Sequence, residues 1–194
     1  MELNILDLIK CETFKAYEYV VMEATPATGI LYVTENSPHF ISGHIRMRGR
    51  DGGRYPFNYL EMIDNIFGKE PNTIEVCSDD VTGCFTVDIA PTNPTVMDDA
   101  QYLNKIESDR FNRWRCDPPY NEATAKKMYG TDLPSTAKLL KAGARVCKSG
   151  SLMFLLLGPQ NYQACPNGVK RIGWIAITVV PNNEIRALHI FYKT

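Results

Sequence analysis

The sequence predicts an α/β protein whose central sheet is mostly parallel and finishes in an antiparallel hairpin. Three observations carry that reading. From residue 71 onward, short apolar runs alternate with turn residues, as buried strands do. Segments with helical spacing separate several of these runs, which is the arrangement of a sheet with crossover helices. The last two runs, "RIGWIAITVV" and "RALHIFYK", flank the tight turn "PNNE" and read as two joined strands.

In chain order, "NILDLIKCETFKAYEYVV" reads as a first helix, and a Gly-, Pro- and Thr-rich region with the strand candidate "GILYVT" follows. "HFISGHIRMRGRDGGRYP" sets Arg46, Arg48, Arg50 and Arg54 among glycines and is expected to be a flexible, locally basic segment. In "FNYLEMIDNIF" the residues Phe57, Leu60, Ile63, Ile66 and Phe67 fall at helical spacing, and Gly68 supplies a stop. "TIEVCS" and "CFTVDI" are buried-strand candidates, the second ending in an acid ahead of "APTNP". "FNRWRC" is a third, less apolar than the others. The helix candidate "TAKLLKAGARVC", the turn "KSGS" and the strand "SLMFLLL" lead to the hairpin. With 194 residues, one well-buried domain is expected over 1 to 194. Residues 1 to 53 form an N-terminal extension with the basic Gly/Arg segment, and 54 to 194 form the core.

The charge balance of 21 basic against 22 acidic side chains argues against a protein that coats nucleic acid by charge alone, though a local basic patch can still do so. "MELNILDLIK" lacks the apolar core and cleavage site of a signal peptide, and "LMFLLL" is too short to span a bilayer. A soluble, cytoplasmic protein with no membrane partner is expected. The cysteines (Cys11, Cys77, Cys84, Cys116, Cys147, Cys165) show no zinc-type spacing and read as free thiols. His39, His44 and His189 are unclustered and read as structural, so no metal is expected.

Ligands of open α/β sheets bind beyond the carboxyl ends of the strands. The polar residues expected there are Glu75 with "CSDD" behind it, Asp88, and Asp117-Pro-Pro-Tyr120. Each has a bland reading. Asp-Pro-Pro-Tyr is by composition a turn, Asp88 can end a strand, Asp98 and Asp99 can be an exposed loop pair, and the arginine cluster can be a solvated loop. Trp114 and Trp174 read as core. Glu75 is the exception, because a carboxylate inside an apolar strand needs a partner.

Taken in linear order, these segments resemble the Rossmann-like S-adenosylmethionine-dependent methyltransferases, and among them the DPPY-type enzymes that modify exocyclic amines of DNA or RNA bases. The resemblance covers roughly residues 54 to 194. "TIEVCS" resembles the first strand and its cofactor loop, "FTVDI" the second strand with a ribose-binding acid at Asp88, and "MDDAQYL" the segment whose acid, Asp99, reaches the cofactor adenine. "DPPYN" resembles the catalytic motif, "LKAGARVCKSGSLMFLLL" the helix, turn and strand behind it, and "NNEIRALHIFYK" the closing hairpin. The implied fold has helices on both faces of the sheet. Implied cofactor contacts are Tyr55, Glu75, Cys77, Ser78, Asp88, Ile89, Asp99, Ala100 and Asp117. Implied catalytic residues are Asp117, Pro118, Pro119 and Tyr120, with Arg46, Arg48, Arg50, Tyr120 and Asn121 on the substrate. One departure stands out: "CSDDVTG" has only Gly83, and 12 residues separate Glu75 from Asp88, too few for a helix between those strands. A trimmed variant is expected, with "FNYLEMIDNIF" covering that side of the sheet.

The chemistry implied is methyl transfer to an aromatic amine, where positioning supplies most of the catalysis. The Asp117 carboxylate and the Pro118 carbonyl would accept the amine hydrogens and localise its lone pair, the prolines would stiffen that backbone, and Tyr120 would stack on a base flipped from its helix. Sequence specificity would come from the first 70 residues, a dimer partner or a second subunit. Two other readings remain open here: a small-molecule or protein amine as acceptor, and a non-catalytic partner of an active methyltransferase.

Overall fold

The structure, a computed structural model, describes residues 5–10, 20–24, 27–32, 40–50, 55–77, 81–90, 93–159, 164–181 and 183–194. A single 3-10 turn at Ile5–Leu8 precedes strands β1 (Val20–Ala24), β2 (Ala27–Tyr32) and β3 (Ile41–Arg48). Helix α1 (Tyr59–Phe67) leads to β4 (Thr73–Val76), β5 (Phe85–Asp88), β6 (Val96–Met97) and β7 (Phe111–Cys116). Helices α2 (Glu122–Tyr129) and α3 (Thr136–Val146) follow, then β8 (Cys147–Leu157), β9 (Val169–Val180) and β10 (Glu184–Lys193).

Among the described residues, ten strands join one sheet in the order β1-β2-β3-β9-β10-β8-β7-β4-β5-β6. From β8 to β6 every pairing is parallel. β10 is antiparallel to both β8 and β9, which makes it the reversed strand of the predicted hairpin. β3 runs parallel to β9, and β2 and β1 extend that edge antiparallel. This is a Rossmann-like sheet, mostly parallel with an antiparallel C-terminal hairpin. Starting at β4, the chain walks outward through β5 and β6, then returns to place β7 on the other side of β4. The carboxyl ends of β4 and β7 therefore mark the topological switch point where such sheets bind ligands.

Strand alternation sorts the side chains onto two faces. On one face Ile45, Met47, Phe154, Leu156, Ile175, Ile177, Leu188 and Ile190 pack with Tyr59, Met62, Ile63, Ile66 and Phe67 of α1. On the other, Ile74, Val76, Trp114, Cys116, Met153, Leu155 and Phe191 pack with Leu139, Leu140 and Val146 of α3. Helices thus cover both faces. Each fully buried side chain of α1 contributes about 1.5–3 kcal/mol relative to exposure. Gly68 ends α1 with φ 80°, and the Arg113 guanidinium donates to the Gly68 carbonyl at 2.9 Å, a cation at the helix's negative end.

Three expectations need correction. Of the predicted first helix, the described residues show the turn Ile5–Leu8; the Lys10 N–H then donates to the Ile66 carbonyl of α1 at 2.8 Å, leaving the helical ladder, and Val20 begins a strand. Residues 11–19 of that expectation lie outside the described residues. The basic segment is not a flexible loop through its first half. Ile41, Gly43, Ile45 and Met47 face inward while His44, Arg46 and Arg48 face out, a period of two that makes β3. "KSGS" does not precede β8 but bulges within it, since Phe111 pairs with Cys147 and Arg113 with Leu152. Strand β6 and helix α2 were not anticipated from the sequence pattern. Among the described residues no helix lies between β4 and β5, as the spacing of Glu75 and Asp88 required. None is long and apolar enough to cross a membrane.

Candidate functional site

At the switch point the sheet opens into a cleft beyond the strand ends. Cys77 follows β4, Asp88 and Ile89 close β5, Asp99 and Ala100 follow β6, and Pro119 follows β7; all line this cleft. Residues spread over some forty positions meet because four parallel strands end on one edge. Gln101, Tyr129, Thr131, Asp132 and Pro134 complete the lining. These last residues carried no sequence signal, lying in a turn and in the segment from α2 to α3, where no periodicity marks them.

Local hydrogen bonding decides how each acid is presented. Asp88 is 2% exposed, and its Oδ1 accepts the Ala90 N–H at 2.8 Å, turning the chain sharply after β5. Asp98 is used by its own loop: Oδ1 accepts the Asp99 N–H at 2.8 Å and Oδ2 the Lys105 N–H at 2.7 Å. Asp99 accepts the Gln101 N–H at 2.8 Å and faces the cleft. Of the adjacent pair, the second is therefore the one available to a ligand. Cys77 holds φ at 59°, a left-handed conformation uncommon outside glycine, and its N–H donates to the Val87 carbonyl at 3.1 Å. Strain of this kind concentrates at binding sites. Ser78 lies outside the described residues.

Glu75 and Tyr55 are placed elsewhere. Glu75 is the second-last residue of β4, so alternation turns its side chain to the α1 face, and it does not line the cleft. It is fully buried, accepting from the Tyr55 hydroxyl at 2.5 Å and from Arg115 Nε at 2.6 Å. Asp64 of α1 joins the network, 3.0 Å from Arg113 and 3.7 Å from Arg115. Burial pushes the Glu75 carboxyl above its ordinary range, with Arg115 opposing. The two arginines explain why β7 is less apolar than its neighbours: they point at α1 and its acid.

The Asp117-Pro118-Pro119-Tyr120 motif leaves β7 beside the cleft. The Asp117 N–H donates to the Val76 carbonyl at 3.4 Å, tying the motif to the end of β4. The Asp117 carboxylate is buried, and its pKa is pushed up to about 7 by that burial, opposed by Arg186 and reinforced by Glu75 and Glu184. Its Oδ1 accepts the Tyr120 hydroxyl at 3.0 Å and also bonds Arg186 Nη2 of β10. Arg186 was missed in the sequence. It is 4% exposed, and its guanidinium carbon lies over the Tyr120 ring, 3.9 Å from the centroid. Its signal was a lone cation within the apolar run of the last strand.

Asn121 acts locally, its side chain accepting the Thr124 N–H at 2.8 Å and capping α2. Arg46, Arg48 and Arg50 do not line the cleft. β3 runs in the same direction as β7, so its carboxyl end reaches the sheet edge that carries the motif. Arg48 and Arg50 there lie 5.6 and 4.7 Å from the ring centre of Phe57, an exposed aromatic. Among the described residues no cluster of His, Cys, Asp and Glu could hold a metal ion.

No protein-family model matches the chain, and no curated protein matches it. Among solved structures it is similar to TrmN from Thermus thermophilus, with 11% identity and a TM-score of 0.47, over 70% of this chain and 47% of TrmN. It is also similar to a protein called "Putative hemolysin from Streptococcus thermophilus", with 12% identity and a TM-score of 0.47, over 82% of this chain and 75% of the other. The chain thus spans about half of TrmN's length. Likeness at this level leaves function to be argued from the site.

Proposed function

We propose that the protein is an S-adenosylmethionine-dependent methyltransferase acting on an exocyclic amino group of a nucleic-acid base. One observation carries the reading: the Asp117-Pro-Pro-Tyr120 motif emerges from β7 beside a cleft lined by the acids that end β5 and follow β6. The donor set suits an adenosine-containing cofactor. Asp88 offers a carboxylate for ribose hydroxyls, Asp99 a carboxylate for the adenine amine, and Ile89, Ala100 and Pro134 apolar surface for the ring. S-adenosylmethionine, when bound, supplies an electrophilic methyl group.

The chain's own residues orient the acceptor. The Asp117 carboxylate and the Pro118 carbonyl accept the amine hydrogens, which keeps the amine lone pair pointed along the line of transfer. Pro118 and Pro119 fix φ and hold that carbonyl in place. Tyr120 offers a ring face for stacking, and the Arg48, Arg50 and Phe57 cluster stands on the same edge as a phosphate and base contact. A tritium-transfer assay with mixed-sequence single- and double-stranded DNA and RNA tests this. Incorporation lost in Asp117→Ala supports it; no incorporation into any of the four, by protein that binds the cofactor, refutes the acceptor assignment.

A second reading, a non-catalytic partner of an active methyltransferase, is favoured by the Arg186 contact, which occupies the very carboxylate the reaction needs. Methyl transfer by the purified chain alone excludes it.

A further inference from the structure

The geometry points to Arg186 as an internal stand-in for the acceptor, closing the base site until a planar aromatic amine displaces it. The inference rests on the acceptor assignment above and narrows it. A guanidinium and the amine edge of adenine or cytosine share a chemical outline: both are flat, both carry an NH2 beside a ring-like or amidine nitrogen, and both stack on aromatic faces. Arg186 makes the two contacts assigned to the target base. Its Nη2 donates to Asp117 Oδ1, and its guanidinium carbon sits over the Tyr120 ring, 3.9 Å from the centroid. The cleft lining includes Pro119 but neither Asp117, which is buried, nor Tyr120.

Two further features make Arg186 displaceable rather than purely structural. Its Nε is buried with no hydrogen-bond partner among the described residues, so the closed state leaves a donor unsatisfied. Its partner Asp117 takes up a proton readily, being faced by Arg186 and Glu184 from β10, by Glu75 from β4, and by the Tyr55 and Tyr59 hydroxyls beside α1. Once protonated, Asp117 releases the guanidinium without leaving a bare buried charge.

The test compares the full chain with Arg186→Met and Arg186→Lys, after matched unfolding midpoints show that each variant is folded. Equilibrium dialysis against radiolabelled 2′-deoxyadenosine and 2′-deoxycytidine is run with and without saturating S-adenosylhomocysteine. Opening the site is expected to tighten nucleoside binding about tenfold or more in Arg186→Met, ~1.4 kcal/mol. Arg186→Lys, which keeps a cation but loses the plane, should fall between. Carbon-13 carboxyl NMR gives a readout that packing alone would not move: the Asp117 titration should shift upward in Arg186→Met. Equal or weaker nucleoside binding in Arg186→Met, or an unshifted Asp117, overturns the stand-in role. Failure of the wild type to bind S-adenosylhomocysteine refutes the methyltransferase reading separately, since the cofactor-free arm still reports on Arg186.

Discussion

Removing Arg115 should destabilise the protein by an amount that depends steeply on pH. In Arg115→Met, the fully buried Glu75 keeps only the Tyr55 hydroxyl as a partner. A buried carboxylate left unpaired has an escape, which is to take a proton, so its penalty cannot exceed the work of protonation. That ceiling is ~1.4 kcal/mol per pH unit above a reference pKa of about 4.3, or about 5 kcal/mol at about pH 8 and about 2 at about pH 5.5. Glu75 is already held above its ordinary value by burial in the wild type, so part of this cost is present before the substitution. The added loss should therefore fall below that ceiling and be clearly larger at about pH 8 than at about pH 5.5. Urea unfolding at both pH values measures it. Adding Glu75→Gln to Arg115→Met should recover most of the loss at the higher pH. A loss equal at both pH values, or no recovery in the double variant, would refute the claim that Glu75 is a buried partner of Arg115.

Gly143→Ala should destabilise by about 1–3 kcal/mol, because the added methyl would lie 2.8 Å from the Trp114 ring and 3.0 Å from Met153; thermal unfolding checks this. Asp117 and His189 should give stability opposite slopes against pH. The folded pKa of Asp117, about 7, is raised above its unfolded value, so its contribution is present below about pH 4 and is lost as pH rises through about 7. Asp117→Asn should abolish that slope in denaturant titrations across the range. His189, whose ring nitrogens are buried with no hydrogen-bond partner among the described residues, has its pKa lowered to about 4 by burial and by Arg171. Its contribution is present above about pH 6.5 and is lost as pH falls through about 4, so His189→Leu should resist acid better than the wild type.

The sheet was legible where hydrophobic period alone decides structure. "TIEVCS", "CFTVDI", "SLMFLLL" and the two hairpin runs all became strands, and "FNYLEMIDNIF" and "TAKLLKAGARVC" became the helices that cover the two faces. Legibility ended where tertiary contacts outvoted the local pattern. Lys10 gives its N–H to α1, and the glycines and arginines around Ile45 masked a clean alternation in β3. Cys77, Asp88, Ile89, Asp99 and Ala100 could be placed together from linear order, since each stands at the end of a parallel strand. Glu75 could not, because a shift of one residue along a strand changes the face it meets. Arg186 and the segment from Tyr129 to Pro134 come from elsewhere in the chain, and only the folded sheet brings them to the motif.

Calorimetric titration with S-adenosylmethionine, alongside Asp88→Ala and Asp99→Ala, tests the central claim most directly. Saturable binding at one site, weakened at least about tenfold in each variant with its unfolding midpoint kept, is the predicted result. No binding by the folded wild type, or binding untouched by both substitutions, would contradict the assignment of this cleft to the cofactor.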